Sequence, residues 1–124
     1  MNLILLKGVY SVCKFAPETV PPSWIYESEF YSVTRTSEEL SVVASLCCPA
    51  DEGMICDYGW RILKIKGPLD LSLTGILAEL SRLFSEKSIP VFTISTYDTD
   101  YILIKETDVE NGVKALEDSG HSIE

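Results

Sequence analysis

Polar and apolar positions give the second half of the chain a clear outline. In Trp60-Arg61-Ile62-Leu63-Lys64-Ile65-Lys66, the polar Arg61, Lys64 and Lys66 are interleaved with the apolar Ile62, Leu63 and Ile65. This reads as a half-buried strand. Gly67-Pro68 ends it, because proline has no N–H for a strand ladder. Ile76, Leu77, Leu80, Leu83 and Phe84 then recur at helical spacing, which predicts a helix over about 72–87 with Ser72 as its N-cap and Ser88-Ile89-Pro90 as its stop. Val91–Thr96 and Tyr101–Ile104 read as two strands joined by the polar turn Tyr97-Asp98-Thr99-Asp100. Thr107 and Glu110 suit a capping box for a second helix, with Val109, Val113 and Leu116 on its core face. Gly120 suits its C-terminal cap, and His121-Ser122-Ile123 a last short strand.

The order strand, helix, strand, strand, helix, strand is the split βαβ arrangement of ferredoxin-like folds. It places two helices on one face of an antiparallel sheet, so the opposite face must be covered or serve a partner. The first half is punctuated by Pro17, Pro21 and Pro22. Leu3 to Phe15 reads as a bent or interrupted strand, and Phe30–Arg35 as a hairpin arm. Ser37–Leu40 suits one helical turn, and Ser41–Leu46 an apolar strand. The stretch Pro49-Ala50-Asp51-Glu52-Gly53 marks a loop toward the second half. The expected class is α+β.

Composition narrows the choice of partners. A chain of 124 residues with 46% hydrophobic content suits one compact domain or two very small halves. Nineteen acidic against ten basic residues give a net charge of −9, which disfavours nucleic acid and anionic membrane surfaces as partners. The apolar opening Met1–Leu6 is too short to span a bilayer and lacks the marks of a secretory signal, so it reads as a strand. The four cysteines, Cys13, Cys47, Cys48 and Cys56, lack zinc-site spacing and a nearby histidine. They read as reduced, partly buried thiols, and the cytoplasm is the expected location.

Little in the chain suggests catalysis. The single histidine, His121, reads as an exposed surface residue, and there is no glycine-rich phosphate loop. No cofactor and no metal site are expected. Two loops carry the candidate chemistry. Gly67–Ile76 joins a strand to a helix, whose first N–H groups can hold a carboxylate. Gly75 there permits close approach of a ligand. Ser95-Thr96-Tyr97-Asp98-Thr99-Asp100 gathers hydroxyls and two carboxylates that can hold an ammonium group, although the same residues favour tight turns. Together the two loops offer the polarity of a free amino acid.

At these loops the chain resembles a known family. Leu63–Asp70, Leu73-Thr74-Gly75-Ile76-Leu77 and Ile94–Ile104 are similar to a branch of the ACT domain family that includes small bacterial tandem-ACT proteins and the cytosolic arginine sensors of the TOR pathway. The resemblance covers nearly all of the second half, and the first half in general pattern. It implies two ferredoxin-like βαββαβ units, a degenerate one over residues 1–58 and a complete one over 59–124. It implies ligand binding at an ACT–ACT interface. Leu71, Thr74, Gly75 and Ile76 would supply backbone and wall contacts, and Ser95, Thr96 and Asp100 polar ones; the acidic turn adds Asp98 to the expected site. Asp100 matches the aspartate that the arginine sensors use. Those sensors hold four units, so a chain with two implies a homodimer.

Three functions follow. The leading one is a non-enzymatic regulatory module sensing a small molecule, an amino acid by expectation. The second is a ligand-free interaction module using Trp24, Trp60, Tyr26, Phe30 and Tyr31 on a partner. The third is a small enzyme using Asp98 and Asp100, which no base, metal set or cofactor loop accompanies.

Overall fold

The structure, a computed structural model, describes residues 1–45, 53–70 and 74–124. The expectations for Leu46–Glu52 and for Leu71 and Leu73 fall outside the described residues, as does Ser72, although the first helix begins at Ile76 with Gly75 at its N-cap and not at Ser72. The strands are β1 (Asn2–Leu5), β2 (Tyr10–Phe15), β3 (Ser32–Arg35), β4 (Leu40–Ala44), β5 (Ile55–Ile65), β6 (Phe92–Ser95), β7 (Asp100–Lys105) and β8 (Ser122–Ile123). The helices are α1 (Ile76–Glu86) and α2 (Val109–Asp118). The chain divides into two compact units, Gly8–Trp60 and Met1–Lys7 with Arg61–Glu124. Ile55–Trp60 of β5 belongs to the first and Arg61–Ile65 to the second.

In the unit containing residues 61–124, the sheet order is β6-β7-β5-β1-β8. Counting strands from β5, this is the ferredoxin-like order fourth-first-third-second, with β1 inserted between fourth and first. β1 runs antiparallel to β5, with Leu3 opposite Ile65, and parallel to β8, with Leu3 opposite Ile123. The N-terminal strand thus serves the C-terminal unit, whereas the sequence grouped it with residues 1–58. A pairing between chain positions so far apart leaves no local signal.

The core of this unit lies between sheet and helices. Leu3, Leu63, Ile65, Ile102 and Ile104 from the sheet meet Leu80, Leu83 and Phe84 of α1 and Leu116 of α2. The apolar stripe predicted for α1 is the one buried, with Ile76 and Leu77 half-buried at its start. On α2 the sequence missed Gly112, which is buried. A Cβ built there would come within 2.9 Å of Ile104 Cδ1 and 3.2 Å of Phe84 Cε1, so the absent side chain admits the Phe84 ring. Ile62 and Leu103, which alternate with the helix-facing residues, are also fully buried.

Three local expectations are corrected. Thr107 lies in a short 3-10 helix, Glu106–Asp108, and α2 has Asp108 at its N-cap position without a side-chain capping bond, so there is no capping box. Ser37–Leu40 forms no helical turn. It belongs to a hairpin turn in which Thr36 N–H donates to Glu39 C=O at 2.9 Å and Thr36 Oγ1 accepts from the amides of Glu38 and Glu39. His121 is buried, only 8% exposed, with Glu79 Oε1 of α1 3.5 Å from its Nε2.

In the unit Gly8–Trp60, the order is β3-β4-β2-β5, again second-third-first-fourth. The connection from β2 to β3 holds a 3-10 helix, Ser23–Glu27, where the complete unit has α1. Ile25 from that turn packs with Phe15, Leu40, Val42, Ala44 and Met54. Of the expected interaction aromatics, Trp60 is buried and Trp24 half-buried on this core. Phe30 meets Tyr10 edge-on at 6.0 Å. Tyr26 and Tyr31 stay exposed, their rings edge-to-face at 5.3 Å. The expectation of reduced thiols fails at one pair. Cys13 and Cys56 lie opposite each other in β2 and β5 and are joined by a disulfide, brought together by strand register across a separation of 43 residues.

Candidate functional site

Two loops of the complete unit face each other across a cleft of about 360 Å³. One is the β5-to-α1 connection, represented by Leu69, Asp70 and the start of α1. The other is the β6–β7 turn, from Ser95 to Asp100. The loops are tied by their backbones. Leu69 N–H donates to Asp98 C=O at 2.6 Å, and the buried Thr99 hydroxyl donates to Ile65 C=O at 2.6 Å. Within the turn, Thr96 N–H donates to Thr99 C=O at 2.8 Å. Gly67 sits where these strands of contact converge. A Cβ there would meet Asp98 O at 3.1 Å and Thr99 Cβ at 3.2 Å, so a side chain would press the loops a few tenths of an ångström apart.

Replacing Thr99 with valine keeps the shape and removes the hydroxyl. The buried Ile65 carbonyl then loses its donor, which should cost about 1–3 kcal/mol. Urea denaturation should show a lower midpoint with an unchanged slope. Thr99→Ser should recover most of the loss.

The start of α1 supplies the donors. Its first backbone bond runs from Glu79 N–H to Gly75 C=O at 2.9 Å. The amides of Ile76, Leu77 and Ala78 precede it and have no acceptor within the helix, and all three residues line the cleft at the positive end of the helix dipole. Gly75 occupies the N-cap in the left-handed conformation, with φ of 83°. A Cβ there would meet nothing within 4 Å, so glycine is required by the backbone angle and not by crowding. The opposite wall carries hydroxyls and the carboxylates of Asp98 and Asp100, joined by Asp70 from the first loop. Among the described residues no Lys or Arg side chain lines the cleft.

Of the residues expected from sequence, Gly75, Ile76, Ser95, Thr96, Asp98 and Asp100 line this cleft together. Thr74 is exposed but does not line it, and Leu71 lies outside the described residues. Leu69, Asp70, Tyr97 and Thr99 also line it, from the two candidate loops but not among the expected contacts, and Leu77 and Ala78 of α1 lie beyond those loops. The β6–β7 turn itself carried a signal for two of them, since every residue from Ser95 to Asp100 faces the cleft.

The degenerate unit repeats this turn. Arg35 pairs with Leu40 as Ser95 pairs with Asp100, and Thr36 closes its four-residue loop as Thr96 does. Where Ser95 borders the cleft, Arg35 instead reaches the carbonyls of Pro17 and Thr19, with its Nη2 2.8 Å from Thr19 O. Among the described residues no three His, Cys, Asp or Glu side chains come together to hold a metal ion. No helix of the described residues is long and apolar enough to cross a membrane.

A ferredoxin-like sheet with both helices on one face, and a ligand-sized cleft where the first strand crosses to the first helix, defines an α+β module of the ACT type. A family model described as the ACT domain matches residues 55–118, just over half of the chain. The chain belongs to the ACT domain family, whose members are generally small-molecule regulatory modules. A second model, described as an N-terminal domain, matches residues 8–52. A protein of known structure from Agrobacterium tumefaciens is 32% identical, with a TM-score of 0.89, over 99% of this chain and 91% of that one. An aspartokinase structure of alpha and beta subunits is 12% identical, with a TM-score of 0.65, over 96% of this chain and 97% of that one. The aspartate kinase of Clostridium acetobutylicum is 11% identical, with a TM-score of 0.68, over 91% of this chain and 33% of that one.

Proposed function

We propose that this chain is a regulatory module that senses an amino acid in the cleft between the β5-to-α1 connection and the β6–β7 turn. The observation that carries the reading is the polarity of that cleft. The helix-start amides of Ile76, Leu77 and Ala78, which precede the first intrahelical bond, stand at one wall, and the carboxylates of Asp98 and Asp100 at the other. A zwitterion needs donors for its carboxylate and acceptors for its ammonium group, and these walls offer both. Gly75, Ile76, Ser95, Thr96, Asp98 and Asp100 would make the contacts, with Leu71 and Thr74 as neighbours on the connecting loop. The fold of the aspartate kinases supports the reading, since the Clostridium enzyme is described as allosteric. In this proposal the chain is a tandem pair of ACT units, the first within residues 1–58 and the second over 59–124 with β1 added to its sheet. It belongs to the branch that includes the arginine sensors. It acts in the cytoplasm as a non-enzymatic homodimer, with the ligand at an ACT–ACT interface.

The test is a thermal-shift screen of the twenty amino acids, with Asp100→Ala beside the parent. The expected result is stabilisation by one amino acid, about 2.7 kcal/mol at a hundredfold excess over its dissociation constant. Loss of the carboxylate removes a charge-assisted bond worth about 1.5–3 kcal/mol, so the variant should bind about 10- to 150-fold more weakly. If no amino acid stabilises the parent, the sensing proposal fails. The exposed Tyr26–Tyr31 pair would then favour a protein-interaction module, tested by whether a partner co-purifies at fixed stoichiometry and is lost in Tyr26→Ala.

A further inference from the structure

The pair Cys13 and Cys56 lies far from the cleft residues in sequence and plays no part in the proposed sensing. The two cysteines face each other in antiparallel strands, with Cα atoms 4.2 Å apart. That separation is typical of a non-hydrogen-bonded cross-strand pair, where side chains come closest. The backbone register therefore holds the two sulfurs adjacent whether or not they are bonded. Their exposure differs. Cys13 is 2% exposed and belongs to the core of the unit Gly8–Trp60, while Cys56 is half-buried at its border. The bond closes a loop of 43 residues that holds most of that unit, so its state changes the freedom of the unfolded chain substantially.

We propose that Cys13 and Cys56 form a reversible redox site that reacts with low-molecular-weight disulfides through Cys56. The Cys56 thiolate, having lost its proton to solvent, attacks one sulfur of a glutathione disulfide and expels one glutathione thiolate. This leaves a mixed disulfide on Cys56. The Cys13 thiolate, its proton also released, attacks Cys56 Sγ and expels the second glutathione thiolate. The protein loses two electrons and the glutathione disulfide gains them. Reduced glutathione runs the steps in reverse. The disulfide of this structure is the oxidised form, which clamps β2 to β5, and in a compartment poised by glutathione the pair rests as the dithiol.

The test uses the full chain carrying Cys47→Ser and Cys48→Ser, so that only this pair remains. The protein is equilibrated with graded ratios of reduced and oxidised glutathione, its free thiols are counted, and its peptides are mapped. Both thiols should vanish together, a Cys13–Cys56 linked peptide should appear, and both should return on excess reduced glutathione. Oxidation should raise the melting temperature by roughly 10 °C. In Cys56→Ser, whose substitution lies at the core border, the melting temperature should not respond to the glutathione ratio. The proposal is overturned if both thiols remain titratable across the series. It is also overturned if oxidation stops at glutathione bound to one cysteine, or if the linked peptide forms without a change in melting temperature.

Discussion

Truncating Phe84 to alanine should destabilise the protein by about 3–5 kcal/mol, the range for a buried aromatic side chain. Phe84 is fully buried on α1, and its ring lies against Gly112 of α2. The space it leaves is bounded by Ile104 and by a helix position with no side chain to move in, so collapse is hindered. A loss of this size is a large fraction of the 5–15 kcal/mol that holds a typical domain folded. Guanidinium denaturation should show it as a shifted midpoint. Filling part of the space through Gly112→Ala in the Phe84→Ala background should recover some stability, while Gly112→Ala alone should not. If the double variant is no better than Phe84→Ala, the packing of ring against glycine is not what Phe84 contributes.

Leu3→Ala should cost about 2–5 kcal/mol, and the loss should be uneven along the chain. Leu3 is fully buried, and it pairs with Ile65 on one side and Ile123 on the other. Its truncation weakens the unit formed with Arg61–Glu124. Native-state hydrogen exchange should therefore accelerate most in β5 beyond Trp60, in β7 and in α2. The amides of β2, β3 and β4 should be much less affected. Equal acceleration in both sets would mean that the N-terminal strand is not a private element of the C-terminal unit.

What the sequence revealed and what it hid divide along local and non-local lines. The stripe Leu80, Leu83 and Phe84 repeats every three or four residues, and that period alone identifies a buried helix face. The hairpin around Asp98 is legible because its turn residues sit between two apolar runs. Most of the candidate cleft follows from those two elements, because their ends supply its walls. The hidden features need distant partners. Cys13 finds Cys56, and His121 comes under Glu79, only once the sheet is assembled. Gly75 was singled out for its freedom from a side chain, whereas its positive φ is what the backbone requires. The turn at Thr36 was misread because Ser-Glu-Glu also suits a first helical turn, and only its register with Leu40 decides between them.

The place of β1 between β5 and β8 has a consequence for synthesis on the ribosome. Asn2 and Leu3 pair with Ser122 and Ile123, so one edge of β1 waits for the last strand made. The unit Gly8–Trp60, by contrast, has all its strands once Trp60 has emerged. Domains tend to fold as units and in order of emergence. The nascent chain can therefore carry an assembled middle section, with Leu3-Ile4-Leu5-Leu6 able to pair with β5, while the other edge of β1 still lacks β8. That interval is when the chain is most open to chaperones and to association with other nascent copies.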